Sequence, residues 1–264
     1  MSLLRCAACH EVVAMSTPLP WRCPNEHGDR HHVLLIESER SFDGPAAEVA
    51  GDPNPFVRYA SRLAWWEFVH AHGWSDAQAI DAVHLTDARV AKVAGTGFRI
   101  TPLVDAPALA AAVGSSGRVF VKNETGNVAG SHKARHLFSI LLHLLAAEAM
   151  GLAPWRRAAD RPALAISSCG NAAIAAATLA ASARWPIDVF IPEWAGGVVV
   201  ETLNSLSARV TRCPRRDSDP PGDPTVLRFR EAVAAGSIPF SVQGPENALC
   251  LDGGRTIGWE AADQ

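Results

Sequence analysis

From about residue 118 onward the chain alternates short apolar runs with longer stretches of helical spacing. Strands are predicted at 118–122, 163–168, 187–191, 208–213 and 239–242, and helices at 133–150, 171–183, 196–207 and 224–235. Parallel neighbours need a crossover, and a helix both supplies it and covers the sheet. The rhythm therefore predicts an α/β fold with a parallel, helix-covered sheet. No Gly-x-Gly-x-x-Gly follows the first strand of any unit and no acidic ribose partner is visible, which disfavours a dinucleotide-binding or other nucleotide-binding protein. Arg212 to Pro224, rich in Pro, Arg and Asp, reads as a solvated surface loop.

Composition narrows the function classes. The 264 residues are 48% hydrophobic with a formal net charge of −3. That is enough to bury a substantial core, and there is neither a nucleic-acid footprint nor a polybasic membrane patch. The apolar run Leu137 to Met150 is interrupted by Ser139, His143 and Glu148, so it reads as a core helix and not a membrane span. Arg5, Cys6 and Cys9 arrive too early for a signal-peptide apolar region, and a cytoplasmic protein is expected.

The six cysteines are few for this length and three of them, Cys6, Cys9 and Cys23, cluster at one end, which favours a metal or free thiols over a disulfide framework. Cys6-Ala-Ala-Cys9 and Cys23-Pro-Asn-Glu-His27 are two paired ligand sites of the kind that fold a small ribbon around tetrahedral zinc. Cys6, Cys9, Cys23 and His27 are the expected set, with His10, His31 and His32 as competing fourth ligands and free thiols on an arm as the alternative. The run His32 to Ile36 is strand-like. Beyond it, Asp52-Pro-Asn-Pro55 punctuates the chain. Phe56 to His72 then predicts one helix through Phe56, Tyr59, Leu63, Trp66 and Val69. Trp65 and Trp66 read as packing residues. Gly73 ends that helix and Ser75 starts another, through Val83.

Two segments carry chemistry. In Val121-Lys-Asn-Glu-Thr-Gly-Asn-Val-Ala-Gly-Ser-His-Lys-Ala-Arg135, a strand enters a Gly- and Asn-rich loop and Lys133 opens a long apolar helix. The positive end of a helix disfavours the charged form of a lysine, and a neutral amine is what Schiff-base chemistry needs. Then Ala163-Leu-Ala-Ile-Ser-Ser-Cys-Gly-Asn-Ala-Ala-Ile-Ala-Ala-Ala177 reads as a buried strand, a small-residue turn and an Ala-rich helix. The backbone N–H groups at such a helix start form an anion site. A β–α turn with an Asn N-cap is the structural alternative.

In this order and spacing the pair resembles the fold-type II pyridoxal-phosphate (PLP) enzymes: threonine synthase, serine/threonine dehydratase, cysteine synthase and the tryptophan synthase β chain. Phe98 to Val104 resembles the family's Thr-Pro-Leu element, and Asp252-Gly-Gly-Arg-Thr-Ile-Gly-Trp-Glu260 a later segment, so the resemblance spans roughly 98 to 264. It implies that Lys133 holds pyridoxal 5'-phosphate and that Ser167, Ser168, Cys169, Gly170 and Asn171 cradle the substrate carboxylate. Asn171 would also lie against the cofactor's 3-hydroxyl. His132 and Arg135, flanking Lys133, are candidate contacts for cofactor or substrate, with a solvent-facing helix start as the alternative. Asn123 and Glu124 are expected to shape the loop, and Cys169 to be a small buried filler.

The organisation implied is a zinc-ribbon arm at 1–40, a helical linker and start of the PLP fold at 41–117, and a PLP-binding α/β region at 118–264. The family's phosphate-binding glycine loop lies beyond the last residue, so the chain is expected to be the front part of a longer one. The implied activity is that of a lyase or synthase acting on a small amino acid by β- or γ-elimination or replacement. The Cys-rich arm points to a threonine synthase-like relative, working as a homodimer. The competing expectation is a non-catalytic binding module whose functional part is the zinc ribbon.

Overall fold

A computed structural model describes residues 3–27, 32–37 and 49–264. The N-terminal strands β1 (Leu3–Cys6), β2 (Val12–Val13) and β3 (Leu34–Glu37) form an antiparallel sheet in the order β2-β1-β3. Leu4, Cys6, Met15, Cys23 and Leu34 make its small core, together with Ala64 and Ala248 from the body of the protein. The ribbon is thus docked. Ala248 donates its N–H to the Trp21 carbonyl at 2.9 Å, and His143 Nε2 lies 2.6 Å from the Pro18 carbonyl oxygen.

The expected helix over 56–72 is divided into α1 (Pro55–Arg58), a 3-10 turn at Ala60–Arg62 and α2 (Ala64–Ala71). Leu63 is extended, with ψ 140°, and the first amides of α2 donate to the Asp252 carboxylate, Ala64 at 2.9 Å and Trp65 at 3.2 Å. The cap that restarts the helix comes from a distant part of the sequence, so local periodicity could not show it. By contrast, α3 (Asp76–Ala94) begins with the expected Ser75, whose side chain forms a capping box with Gln78, and ends at Gly95 in the left-handed region at φ 74°. It runs well past Val83 because the buried stripe Ala79, Val83, Thr86 and Val90 continues beneath a polar outer face.

Strands β4 (Leu103–Asp105) and β5 (Phe120–Lys122), joined through α4 (Pro107–Ala112), pair antiparallel as a separate two-stranded sheet. The expected strand at 118–122 therefore exists but stands outside the parallel sheet. That sheet contains β6 (Leu164–Ser167), β7 (Ile187–Ile191), β8 (Arg209–Arg212) and β9 (Ile238–Pro239), in the order β8-β7-β6-β9, all parallel. Before, between and after these strands run α5 (Lys133–Ala149), α6 (Asn171–Ser182), α7 (Gly197–Ser205), α8 (Pro224–Ala234) and α9 (Cys250–Asp263).

Both faces of the sheet are covered, as an apolar parallel sheet requires. Leu164, Ile166, Val189 and Ile191 join the main core, while Ala165 and Phe190 pack with Cys213 and Phe229 on the other side. The alanines of α6 let it pack closely on α5 and α3. Among the described residues no helix is long and apolar enough to cross a membrane.

Candidate active site

Lys133 is the first residue of α5 and is half-buried. Of the chain's three lysines, Lys122 is ion-paired with Glu260 at 2.7 Å, whereas Lys133 has no ion-pair partner among the described residues. Burial, reinforced by the Lys133 charge, holds the exposed His132 below the usual histidine range. Burial does the same to His136, and it pushes the Cys250 thiol up to about 12.

The loop that delivers Lys133 is held from behind. Arg135 is fully buried, and its guanidinium donates to Glu124 at 2.8 Å, to Thr256 at 3.1 Å and to Glu260. Burial opposes charge on Glu124, but Arg135 outweighs it and holds the carboxyl below the ordinary range. Glu124 also accepts from Asn127 at 2.8 Å, fixing the turn before Val128–Gly130. Glu124 thus shapes the loop as expected, and Asn123 Oδ1 accepts from Thr125 N–H at 3.1 Å. Arg135, by contrast, is no cofactor or substrate contact: every donor is spent on Glu124, Glu260, Thr101, Thr256 and the Arg99 carbonyl.

The same interface explains Gly253 and Gly254 in α9. A Cβ on Gly253 would lie 1.9 Å from the Arg135 carbonyl oxygen, and one on Gly254 would lie 2.3 Å from the His136 ring. Only glycine allows the two helices this approach.

The second motif forms the end of β6, a turn and the start of α6. The N-cap of α6 is Gly170 and no side chain caps it, so the helix start keeps its backbone donors free of capping groups. The alternative of an Asn N-cap is not what is built, since Asn171 is the first helical residue and is exposed. Ser167 Oγ lies 2.6 Å from the Thr225 hydroxyl, and the Ser168 hydroxyl accepts from Gly170 N–H at 3.5 Å.

Ser167, Ser168 and the half-buried Cys169 line a cleft of about 650 Å³. Its other walls follow the strands: Glu193 and Trp194 after β7, Cys213 after β8, Thr225 at the start of α8 and Gln243 after β9. The cleft therefore lies at the carboxyl ends of the parallel strands, where open α/β sheets place their ligands. Sequence reasoning missed these wall residues, although each follows or opens an element it had placed. Lys133 is not among the residues lining the cleft. The structure brings its loop near by another route, because the Val128–Gly130 turn packs on α6.

The cysteine ribbon makes a third cluster. The ligand atoms of Cys6, Cys9, Cys23 and His32 all lie within 4.8 Å of one another. Cys6 Sγ is 3.5 Å from His32 Nδ1, and Cys9 Sγ is 3.5 Å from Cys23 Sγ. A tetrahedron with bonds of ~2.3 Å has edges of about 3.8 Å, so the set has the chemistry and spacing of a zinc site. The fourth position is His32 and not His27. Register decides this: Cys6 pairs with Leu34 and Ala7 N–H donates to the Val33 carbonyl, which draws His32 up to the sulfurs. His27 instead stands with its ring 5.2 Å from that of His32. The competing candidate His31 lies outside the described residues.

The chain resembles solved PLP-enzyme folds at low identity. It is similar to a pyridoxal 5'-phosphate-dependent aspartate racemase, with TM-score 0.50, 21% identity, and coverage of 70% of this chain and 51% of that one. Against diaminopropionate ammonia lyase from Escherichia coli the values are 0.50, 19%, 70% and 52%. Maize serine racemase gives 0.49, 19%, 70% and 49%. The chain thus spans about half the length of these proteins. No curated protein sequence gives a significant match. The profile of the family "Pyridoxal-phosphate dependent enzyme" matches residues 95–264, which contain the lysine loop, the Ser-Ser-Cys-Gly-Asn turn and the α5–α9 interface, and the chain belongs to that family.

Proposed function

We propose that the chain carries the lysine and carboxylate-binding elements of a PLP-dependent lyase or synthase of threonine synthase-like type. Its substrate is a small amino acid, which it processes by β- or γ-elimination or replacement. The observation that carries this reading is the uncapped start of α6 beside a cleft at the carboxyl edge of the sheet. The group fits the residues present: an unpaired, half-buried lysine opens the helix packed against α6, and an open row of backbone donors starts α6 itself.

When bound, pyridoxal 5'-phosphate supplies the electron sink that stabilises negative charge at the substrate α-carbon. Lys133 would hold the cofactor through its amine, and its Nζ is the group that would accept the substrate α-proton. The backbone N–H groups from Asn171 onward orient the substrate carboxylate, helped by the positive end of α6. Ser168 and Cys169 set the shape of that pocket, and Asn171 would be the side chain on the cofactor ring. His132, kept below its usual range by burial and by Lys133, adds no competing cation near neutral pH. A homodimer accompanies this reading.

The ribbon cluster Cys6, Cys9, Cys23 and His32 is a structural zinc site in the same proposal, with the metal fixing the arm that docks at Trp21 and Ala248. Metal analysis is expected to find one zinc per chain, absent after Cys6→Ser with Cys9→Ser. Stoichiometric zinc in that variant would refute the assignment.

The cofactor test is a visible spectrum with added pyridoxal 5'-phosphate. A band near ~410 nm that borohydride removes is expected in the wild type and not in Lys133→Ala, with reduced cofactor on the Lys133 peptide by mass spectrometry. The same band in Lys133→Ala, or none in either protein, would overturn the reading.

A further inference from the structure

We propose that the cysteine ribbon is a metal-responsive switch on the Lys133 helix, acting through the segment from Gln243 to Cys250. The inference rests on the zinc reading of Cys6, Cys9, Cys23 and His32, and makes that metal regulatory as well as structural.

The ribbon is too small to hold itself. Its strands span four, two and four residues. Of the five side chains it buries in its own core, Cys6 and Cys23 belong to the metal cluster. A core of that size is ordered with its metal and loosens without it, which supplies the two states a switch needs. One ligand, Cys9, is exposed while the other three are buried, so a competing ligand can reach the metal.

The loop between Cys9 and Cys23 carries the contacts to the body. The Pro18 carbonyl accepts from His143 of α5 at 2.6 Å, and the Trp21 carbonyl accepts from Ala248 N–H at 2.9 Å. Arg22 pairs with the buried Glu246, whose other partner is Arg230 of α8.

The segment so held joins both parts of the candidate active site. It begins at Gln243, a wall of the cleft, and ends at Cys250, the first residue of α9. His136 Nδ1 lies 2.9 Å from the Cys250 carbonyl oxygen, and Ser139 donates to the Leu249 carbonyl at 2.8 Å, both within two turns of Lys133. When the ribbon loosens, Ala248 N–H and His143 lose their acceptors and Glu246 keeps only Arg230. The start of α9 and the cleft wall then lose their outer brace. By linkage, zinc favours the arrangement that takes the cofactor, and the cofactor favours zinc by the same factor.

Hydrogen exchange read by mass spectrometry, before and after zinc removal with EDTA, tests this directly. Exchange should rise at least about tenfold across 243–250 and the first turns of α5 and α9, and return when zinc is restored. The strand β8, at the opposite edge of the sheet from β9, should not change. Cys6→Ser with Cys9→Ser should show the zinc-free pattern without chelator. Arg22→Ala should keep its zinc yet respond less to zinc loss at 243–250. Titration of the ~410 nm band should be about 5–10-fold weaker in the zinc-free protein, and bound cofactor should make zinc harder to strip by the same factor.

Faster exchange confined to the ribbon would overturn the switch and leave the zinc reading intact. A uniform rise over the whole chain would also overturn it, since the metal would then support only global stability. A chain that neither carries nor takes up zinc would overturn both readings. The exchange result decides the proposal even if no cofactor band forms, because that failure falls on the Lys133 reading alone.

Discussion

Where α9 crosses α5, the polar groups are spoken for. Arg135 gives up all its donors inside the protein, and Glu260 receives Arg135, Lys122 and the Thr101 N–H. At the carboxyl edge of the parallel sheet the opposite holds: α6 starts with no side-chain cap, and its first residue, Asn171, is exposed. Both regions adjoin the Lys133 loop, but they serve it differently. The closed interface fixes the backbone that presents the lysine. The open edge keeps donors available to a ligand, at little cost because water satisfies them meanwhile. Unmet donors can be positioned accurately only if the elements bearing them are anchored elsewhere.

The largest expected effect breaks the closed side. Arg135→Met leaves Glu124 and Glu260 buried without their main partner and should cost about 3–5 kcal/mol in urea unfolding. Adding Glu124→Gln and Glu260→Gln should recover part of that loss, because the uncompensated charges are then gone. If the triple variant is no more stable than the single one, shape and not charge balance holds the interface.

Glycine contacts come next. Gly253→Ala sets a methyl against a backbone carbonyl and should cost about 3 kcal/mol. Gly254→Ala meets the His136 ring and not backbone; displacing that ring breaks its 2.9 Å contact with the Cys250 carbonyl, and about 1–2 kcal/mol is expected. Gly258, also in α9, has nothing within 4 Å of an added Cβ, so Gly258→Ala should stabilise by about 0.5–1 kcal/mol. Equal losses at all three sites would mean that helix propensity, and not close approach, explains the glycines.

Two buried groups set opposing pH dependences. His143 is held down to about 4 by burial, stacked on Phe68 at 3.9 Å between ring centroids. The unfolded chain takes up that proton first, so this stability is present above about 6.5 and is lost as pH falls towards about 4. Asp252 is raised to about 6 by burial, although the Ala64 and Trp65 amides favour its charge. Here the folded state binds the proton first, and stability is gained as pH falls from about 6 towards 3.8. The two contributions offset one another between pH 6 and 4. Asp252→Asn removes one of them, and its urea midpoints should fall more steeply with acid than the wild type's, by up to about 1.4 kcal/mol per pH unit. Parallel profiles for the two proteins would reject this pairing.

The sequence made the alternating body legible because its signals are local. β6, β7, β8 and the helices between them follow runs of apolar residues and breaks that need no knowledge of the rest of the chain. What escaped was set by distant partners. The break before α2 depends on Asp252, the fourth metal-cluster position on the β1–β3 register, and the duty of Arg135 on two glutamates from different elements. Glu124 and Arg135 lie on either side of Lys133, yet no spacing rule reveals that Glu260 completes the set. The cleft walls occupy ends of elements whose order in the sheet the sequence does not state.

The smallest stability effect is expected on the open side, and it makes the comparison quantitative. Asn171 is exposed at the first helical position of α6, and its side chain caps nothing. Asn171→Ala should therefore change stability by no more than about 0.5 kcal/mol. If Asn171 faces the cofactor ring, the same change should weaken the cofactor band's titration by roughly tenfold while leaving the band's dependence on Lys133 intact. A variant that loses stability but not cofactor affinity would make Asn171 a scaffold residue, and the open edge would then extend only from Ser167 to Gly170. A loss of affinity without a loss of stability is what separates a residue kept for a ligand from one kept for the fold.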